Sequence, residues 1–194
     1  MYEYEYPHPA VATDAVLFAV CDDTLQVLLI KRGREPFKDY WAFPGGFVEI
    51  AEDLDAAAQR ELTEETGLTG IDLEQFYTFG TPDRDPRERV ITVAYLSLVR
   101  SEELNPVAAD DAAAVAWFSV DDLPPLAFDN DEMLYRARAY LIEKLETSDV
   151  ALNAMADGFQ LPDLQRVYEI ILGETLDADV FASWVMGQDW LEES

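Results

Sequence analysis

Between Gly45 and Gly67 a glycine pair feeds a helix crowded with like charge, and no other stretch of the chain restricts its fold as much. Pro44-Gly45-Gly46 is a turn whose glycines carry no side chains to hold a neighbour off, so its backbone can approach a metal or an oxyanion closely. From Asp53 the pattern takes a helical period through Thr66, and Gly67 supplies the left-handed residue that ends such a helix. Glu61, Glu64 and Glu65 stand at i, i+3 and i+4, which at about 3.6 residues per turn places them within about 100° of arc on one face. Carboxylates so placed repel one another. A hard cation relieves the repulsion, and all-oxygen ligation suits Mg²⁺ or Mn²⁺, which keep waters and bridge to phosphates.

Ahead of this helix, residues 10–20 and 25–30 are apolar runs split by Cys21-Asp22-Asp23-Thr24, the pattern of two strands joined by a tight turn. Residues 71–79, 90–99 and 115–118 read as further strands, with 81–89 a polar loop. After Leu123-Pro124-Pro125 helical patterns take over at 130–145, 152–156, 161–172 and 178–186. Strands with one helix among them, followed by helices, predict an α+β or mixed α/β sandwich with a helical appendage. The expected division is a main domain over 1–125, a connecting helix over 126–146 and a helical module over 147–194.

Composition excludes several classes. The longest apolar runs have seven residues, against the 18 or so of a membrane span, so no membrane association is expected. The N-terminal MYEYEYPHP lacks the basic and apolar regions of a signal peptide, and a cytoplasmic location is expected. The lone Cys21 leaves no internal disulfide and no cysteine-built zinc site. Thirteen Lys and Arg against 40 Asp and Glu give a net charge of −27, with only Lys31, Lys38 and Lys144 as lysines. Self-repulsion of that size destabilises a compact chain unless salt screens it, and the Debye length shrinks to roughly 3 Å at 1 M. The chain therefore reads as salt-adapted, and a generic nucleic-acid binder is not expected.

From Gly46 the sequence runs Gly-x5-Glu52-x7-Arg60-Glu61-Leu62-Thr63-Glu64-Glu65-Thr66-Gly67-Leu68. At the chain's own residue frequencies a chance match to its seven fixed positions is on the order of 10⁻⁸ per starting point. At every fixed position this string resembles the signature of the Nudix hydrolase family. The resemblance implies an α/β/α sandwich with a mixed sheet, a loop-helix-loop that binds divalent metal (Mg²⁺ or Mn²⁺), and hydrolysis of a nucleoside diphosphate linked to another moiety. It implies Glu61, Glu64 and Glu65 as metal ligands, with Glu61 or Glu64 also helping to activate water, and the Gly45 carbonyl as a further ligand. Arg60 would orient the glutamates, and Glu52 would support the loop or an outer metal shell. The general base can also come from a loop outside the signature, where Glu102, Glu103, Asp110 and Asp111 are candidates.

Features outside the signature address the ligand. Pro82, 15 residues beyond Gly67, resembles a proline that marks ADP-ribose pyrophosphatases, and Gly80–Arg87 resembles a loop of ADP-ribose hydrolases and their regulatory relatives. Arg84, Arg87 and Arg89, with Arg32 and Arg34, offer fork geometry to a dianion or pair with neighbouring acids. Trp41 and Phe43 offer rings for an adenine or belong to the core. The function expected is a metal-dependent diphosphohydrolase releasing AMP and a sugar phosphate from ADP-ribose or a related compound by water attack. The alternative is an ADP-ribose-sensing transcriptional regulator, because residues 147–194 resemble the winged-helix module of Nudix-related regulators, most closely in Leu164-Gln165-Arg166-Val167-Tyr168-Glu169-Ile170-Ile171-Leu172-Gly173. Residues 178–186 would then be the recognition helix. From Ser148 onward, however, Arg166 is the one basic residue against ten acids. The resemblance implies an ADP-ribose-like small molecule as partner, and on that charge a second copy in a homodimer is expected and nucleic acid is not.

Overall fold

The side chains of a twelve-residue strand, β1 (Ala10–Cys21), divide between two cores: Val16 and Phe18 join one, Ala15 and Leu17 the other. A strand buried on both faces reads as a near-continuous apolar run, which is how residues 15–21 appear in the sequence. The computed structural model describes residues 5–100, 104–108 and 112–188. β2 (Thr24–Arg32) returns antiparallel through Asp22 and Asp23, whose φ values of 48° and 58° fit a two-residue hairpin turn. There follow β3 (Trp41–Ala42), β4 (Gly45–Phe47), α1 (Leu54–Thr66), β5 (Glu74–Phe79), β6 (Val90–Val99) and β7 (Ala112–Ser119).

The sheet runs β3-β2-β1-β6-β5, with β4 added to β1 and β7 to β2. β1 and β6 are parallel from Ala10↔Val90 to Ala19↔Val99, and the other pairs are antiparallel, so the sheet is mixed. β1 pairs with β2 only from Phe18 to Cys21; nearer its start β4 takes that side at Ala12–Asp14, while β3 takes β2 at Ile30 and Lys31. The two long strands therefore part beyond Phe18, and the opening between them holds the site.

Helices cover both faces. On one, Leu62 of α1 packs with Ala15, Leu17, Leu28 and Leu68, and Ala58 packs with Val93 and Tyr95. On the other lie α2 (Asn130–Thr147), a short 3-10 turn (Val150–Ala154), α3 (Leu161–Leu172) and α4 (Ala178–Val185). One core runs from Phe18, Leu29 and Leu96 of the sheet through Met133, Leu141 and Leu145 of α2 to Leu164, Ile171, Phe181 and Val185 of α3 and α4. The Tyr168 hydroxyl donates to the Leu145 carbonyl at 2.9 Å, and Arg166 pairs with Asp23 of the β1–β2 hairpin at 2.9 Å. This is the sandwich with a mixed sheet that the signature implies, followed by the C-terminal helical module expected from the patterns after Pro125. No helix among the described residues is long and apolar enough to cross a membrane.

Three elements differ from the sequence pattern. β3 is two residues long, too short to leave a period. β7 begins at Ala112, where three alanines of low strand propensity hide it. The helical stretch expected at 152–156 is the 3-10 turn.

Candidate functional site

α1 starts where Asp53 caps it, accepting from the Asp55 N–H, and ends at Gly67 with φ 72°. That fixes which face meets β4, and the carboxylates follow. Arg60 forks onto Glu52 (Nε to Oε1 and Nη2 to Oε2, both 2.8 Å) while its Nη1 donates to Glu61 (2.7 Å) and Glu64 (3.1 Å). Its Nη2 also donates to the Phe47 carbonyl at 3.1 Å, tying α1 to β4. The pair with Arg60 holds Glu52 down to about 2. Glu65 is buried and accepts the Gly45 N–H at 2.9 Å; burial pushes its carboxyl up to about 8 against that bond, with Glu61 and Asp14 adding repulsion. Burial also raises Glu61, opposed by Arg60.

The glycines are required by proximity. A Cβ on Gly46 would lie 2.5 Å from Glu61 Oε1, and one on Gly45 would lie 2.5 Å from Asp14 Oδ1 and closer still to the Thr13 carbonyl. Among the described residues no three His, Cys, Asp or Glu side chains converge as they stand on a point that could hold a metal ion. The Arg60 guanidinium donates to both Glu61 and Glu64, while Glu65 is held apart by the Gly45 N–H. The donor set fits a hard divalent ion: it is all oxygen, it shares one helix face, and a positive group already bridges two of its members.

Beside the carboxylates, the opening between β1 and β2 is a recess whose wall includes Asp14, Arg32, Phe47, Arg84, Arg87 and Phe128. It continues through Gly45, Gly46 and Phe47 into a groove lined by Arg60, Glu61, Glu64 and Glu65. Arg84, its side chain 6% exposed, forks onto Asp129 at 2.6 and 2.9 Å and donates to Thr92 at 2.6 Å. Arg87 forks onto Asp85 at 2.6 and 3.0 Å. Asp14 projects from β1 toward this network; burial raises it to about 7, against the pull of Arg84. Arg32 donates from Nε to the Pro36 carbonyl at 2.9 Å, and burial lowers its pKa, with Arg87 adding to the effect.

The structure thus brings Gly45, Glu52, Arg60, Glu61, Glu64 and Glu65 together, and Arg32, Arg84 and Arg87 beside them. It does not bring Pro82 or Trp41 into the recess wall. Pro82 is exposed, and Trp41 packs edge-on to Phe118 at 4.6 Å and lies against the main core. Arg89 braces its own loop through the Gly80 and Thr81 carbonyls. Glu102, Glu103, Asp110 and Asp111 lie outside the described residues. Asp14, Phe47, Phe128 and Asp129 escape the motif reading. One signal for Asp14 exists, a carboxylate set inside an apolar strand.

The C-terminal helices form a compact pair. Gly173 ends α3 at φ 75°, and Asp177 caps α4 by accepting from the Asp179 and Val180 N–H groups. Phe181 and Val185 face Tyr168 and the core, leaving Asp179, Val180 and Ser183 outward.

The NUDIX domain model matches residues 11–137, and the NrtR DNA-binding winged helix domain model matches residues 151–194. The ADPR responsive transcriptional repressor NtrR of Acinetobacter baylyi is 35% identical over 194 residues, covering 98% of this chain and 77% of the repressor. The ADP-ribose pyrophosphatase of Methanocaldococcus jannaschii is 41% identical over 129 residues, covering 66% of this chain and 73% of that enzyme. Among solved structures, Shewanella oneidensis NrtR complexed with a 27mer DNA aligns with a TM-score of 0.76 and 31% identity over 91% of this chain and 82% of that one.

These matches overturn the expectation that nucleic acid is not a partner. That expectation summed charge over the module. A winged helix, however, is specified by apolar packing such as Leu164, Tyr168, Ile171 and Phe181, and phosphates also accept from backbone N–H groups, helix N-termini and hydroxyls, which a count of Lys and Arg does not register. The chain belongs to the NUDIX family, its NUDIX domain followed by a winged helix of the NrtR type.

Proposed function

We propose that this protein is a DNA-binding regulator that senses ADP-ribose or a related nucleoside diphosphate derivative, and that its NUDIX domain hydrolyses that ligand. The observation that carries the proposal is the alignment of an ADPR responsive repressor with 98% of the chain, a span that includes both this chain's NUDIX match and its winged-helix match. In this reading residues 1–125, with 128–130 at the entry to α2, take the nucleotide, the rest of 126–146 connects, and 147–194 contact DNA.

Arg32 and Arg87 bind the diphosphate from the recess, where guanidinium forks match its oxygens. Glu61, Glu64 and Glu65, with the Gly45 carbonyl, would hold Mg²⁺ or Mn²⁺, and Glu52 fixes Arg60 so that the glutamates keep their orientation. The bound cation supplies neutralisation of the diphosphate and a water of lowered pKa. The Gly45 N–H holds Glu65, and the side-chain-free turn lets the ligand approach the carboxylates. Hydrolysis to AMP and a sugar phosphate is favoured by the complete Arg60-Glu61-Leu62-Thr63-Glu64-Glu65 set.

Titration calorimetry with ADP-ribose in Mg²⁺ and high salt, with AMP release followed in parallel, tests both halves. Saturable binding with AMP release supports sensor and enzyme. Binding without turnover removes the enzyme and keeps the sensor. Failure to bind ADP-ribose or any related nucleoside diphosphate derivative refutes the proposal.

A further inference from the structure

Residues 128–130, at the entry to α2, touch each cationic part of the recess. The Phe128 ring lies under the Arg32 guanidinium, 4.8 Å from its carbon, and under that of Arg87, at 5.7 Å, with the Phe47 ring on Arg87 as well, at 5.1 Å. Asp129 receives the Arg84 fork, and Asn130 accepts the N–H of Phe43, just before the glycine turn, at 3.0 Å. Phe128 has φ 54°, a left-handed conformation uncommon for a bulky side chain and one that persists only where the surroundings enforce it. Phe37, itself at φ 62°, packs edge-on against it at 4.8 Å.

Arg32 differs from its neighbours in what balances its charge. Arg84 and Arg87 each fork onto an aspartate, whereas among the described residues no carboxylate lies within ion-pair distance of Arg32. A half-buried guanidinium with a ring face beneath it and a second guanidinium nearby is an arrangement short of an anion. The ring offsets part of the repulsion between the two cations, because its negative face attracts both. A clamp held in place beforehand also spares a ligand the entropy of ordering two long side chains.

We propose that Phe128 is a positioning residue whose ring holds Arg32 and Arg87 as a two-pronged clamp and so sets the affinity for the diphosphate part of the ligand. The proposal rests on the reading of the recess as a nucleoside diphosphate site. Binding of ADP-ribose, AMP, adenosine and inorganic pyrophosphate to wild type, Phe128→Leu and Phe128→Tyr tests it, with thermal midpoints confirming folded protein. Leucine keeps apolar bulk without a π face, and tyrosine keeps the face. Phe128→Leu should weaken ADP-ribose and pyrophosphate about tenfold, the scale of a partly desolvated cation–π contact, affect AMP less and leave adenosine unchanged, and Phe128→Tyr should restore binding. Equal loss for all ligands, or wild-type affinity in Phe128→Leu, overturns it while the reading of the site stands. Pyrophosphate binding that depends on the ring, without any ADP-ribose binding, upholds the clamp and refutes the reading. Wild-type protein that binds none of the four refutes both.

Discussion

Arg60 shows how one side chain can order a site. Its bonds to Glu52, Glu61, Glu64 and the Phe47 carbonyl link helix, loop and strand. Because that pairing holds Glu52 at about 2, below its ordinary 4.5, the brace is fully charged above the ordinary value and is lost only as the pH falls through the lower one. Carboxyl-carbon NMR of Glu52 should therefore show no titration between pH 6 and about pH 3.5; a midpoint at the ordinary value would dissolve the brace. Glu64→Gln or Glu65→Gln removes a negative ligand at constant size, so AMP release should fall by about 10²-fold or more with the fold retained. Near wild-type turnover at saturating Mg²⁺ would remove that residue from the site. Gly46→Ala should lower activity as severely, since its Cβ would lie against Glu61. The glutamates are legible because they share one helix, whose period the sequence carries. Asp129 and Asn130 are not, because their partners Arg84 and Phe43 lie 45 and 87 residues away in the chain.

Among the elements, α1 and β6 can be read almost to the residue. α1 has a capping aspartate and a terminal glycine, and β6 is a run of apolar, β-branched and aromatic residues interrupted only by Ser97. The role of α2 cannot be read so. Its period predicts a helix, yet nothing local says that its N-terminus would meet the recess at Asp129 and Asn130 while Leu141 and Leu145 meet the winged-helix core. At about 1.5 Å per residue its 18 residues span about 27 Å, enough to join the two sites. Leu141 is fully buried in the shared core. Leu141→Ala should cost about 2–5 kcal/mol. It should lower one transition seen alike by far-ultraviolet circular dichroism and tryptophan fluorescence; two separated transitions would show that the module folds apart from the sheet.

At the scale of the whole molecule, net charge bears on stability and is a poor guide to partner choice. A net −27 must be screened for the compact state to persist, so the thermal midpoint should drop between roughly 2 M and 0.05 M KCl. An unchanged midpoint would contradict salt adaptation. Charge summed over the sequence misleads about DNA, because the sum counts every acid of the chain while groove recognition in general uses the few groups that one face presents, backbone N–H groups among them. An acidic module of this kind should draw less of its affinity from counterion release than basic readers do, and its complex should depend less steeply on salt. The most direct measurement is a mobility-shift titration with DNA from upstream of the protein's own operon, across a KCl series, with and without ADP-ribose. Coupling of nucleotide recess to winged helix predicts a discrete complex whose affinity ADP-ribose changes and adenosine does not. No complex at any salt concentration, or one indifferent to ADP-ribose, would contradict it.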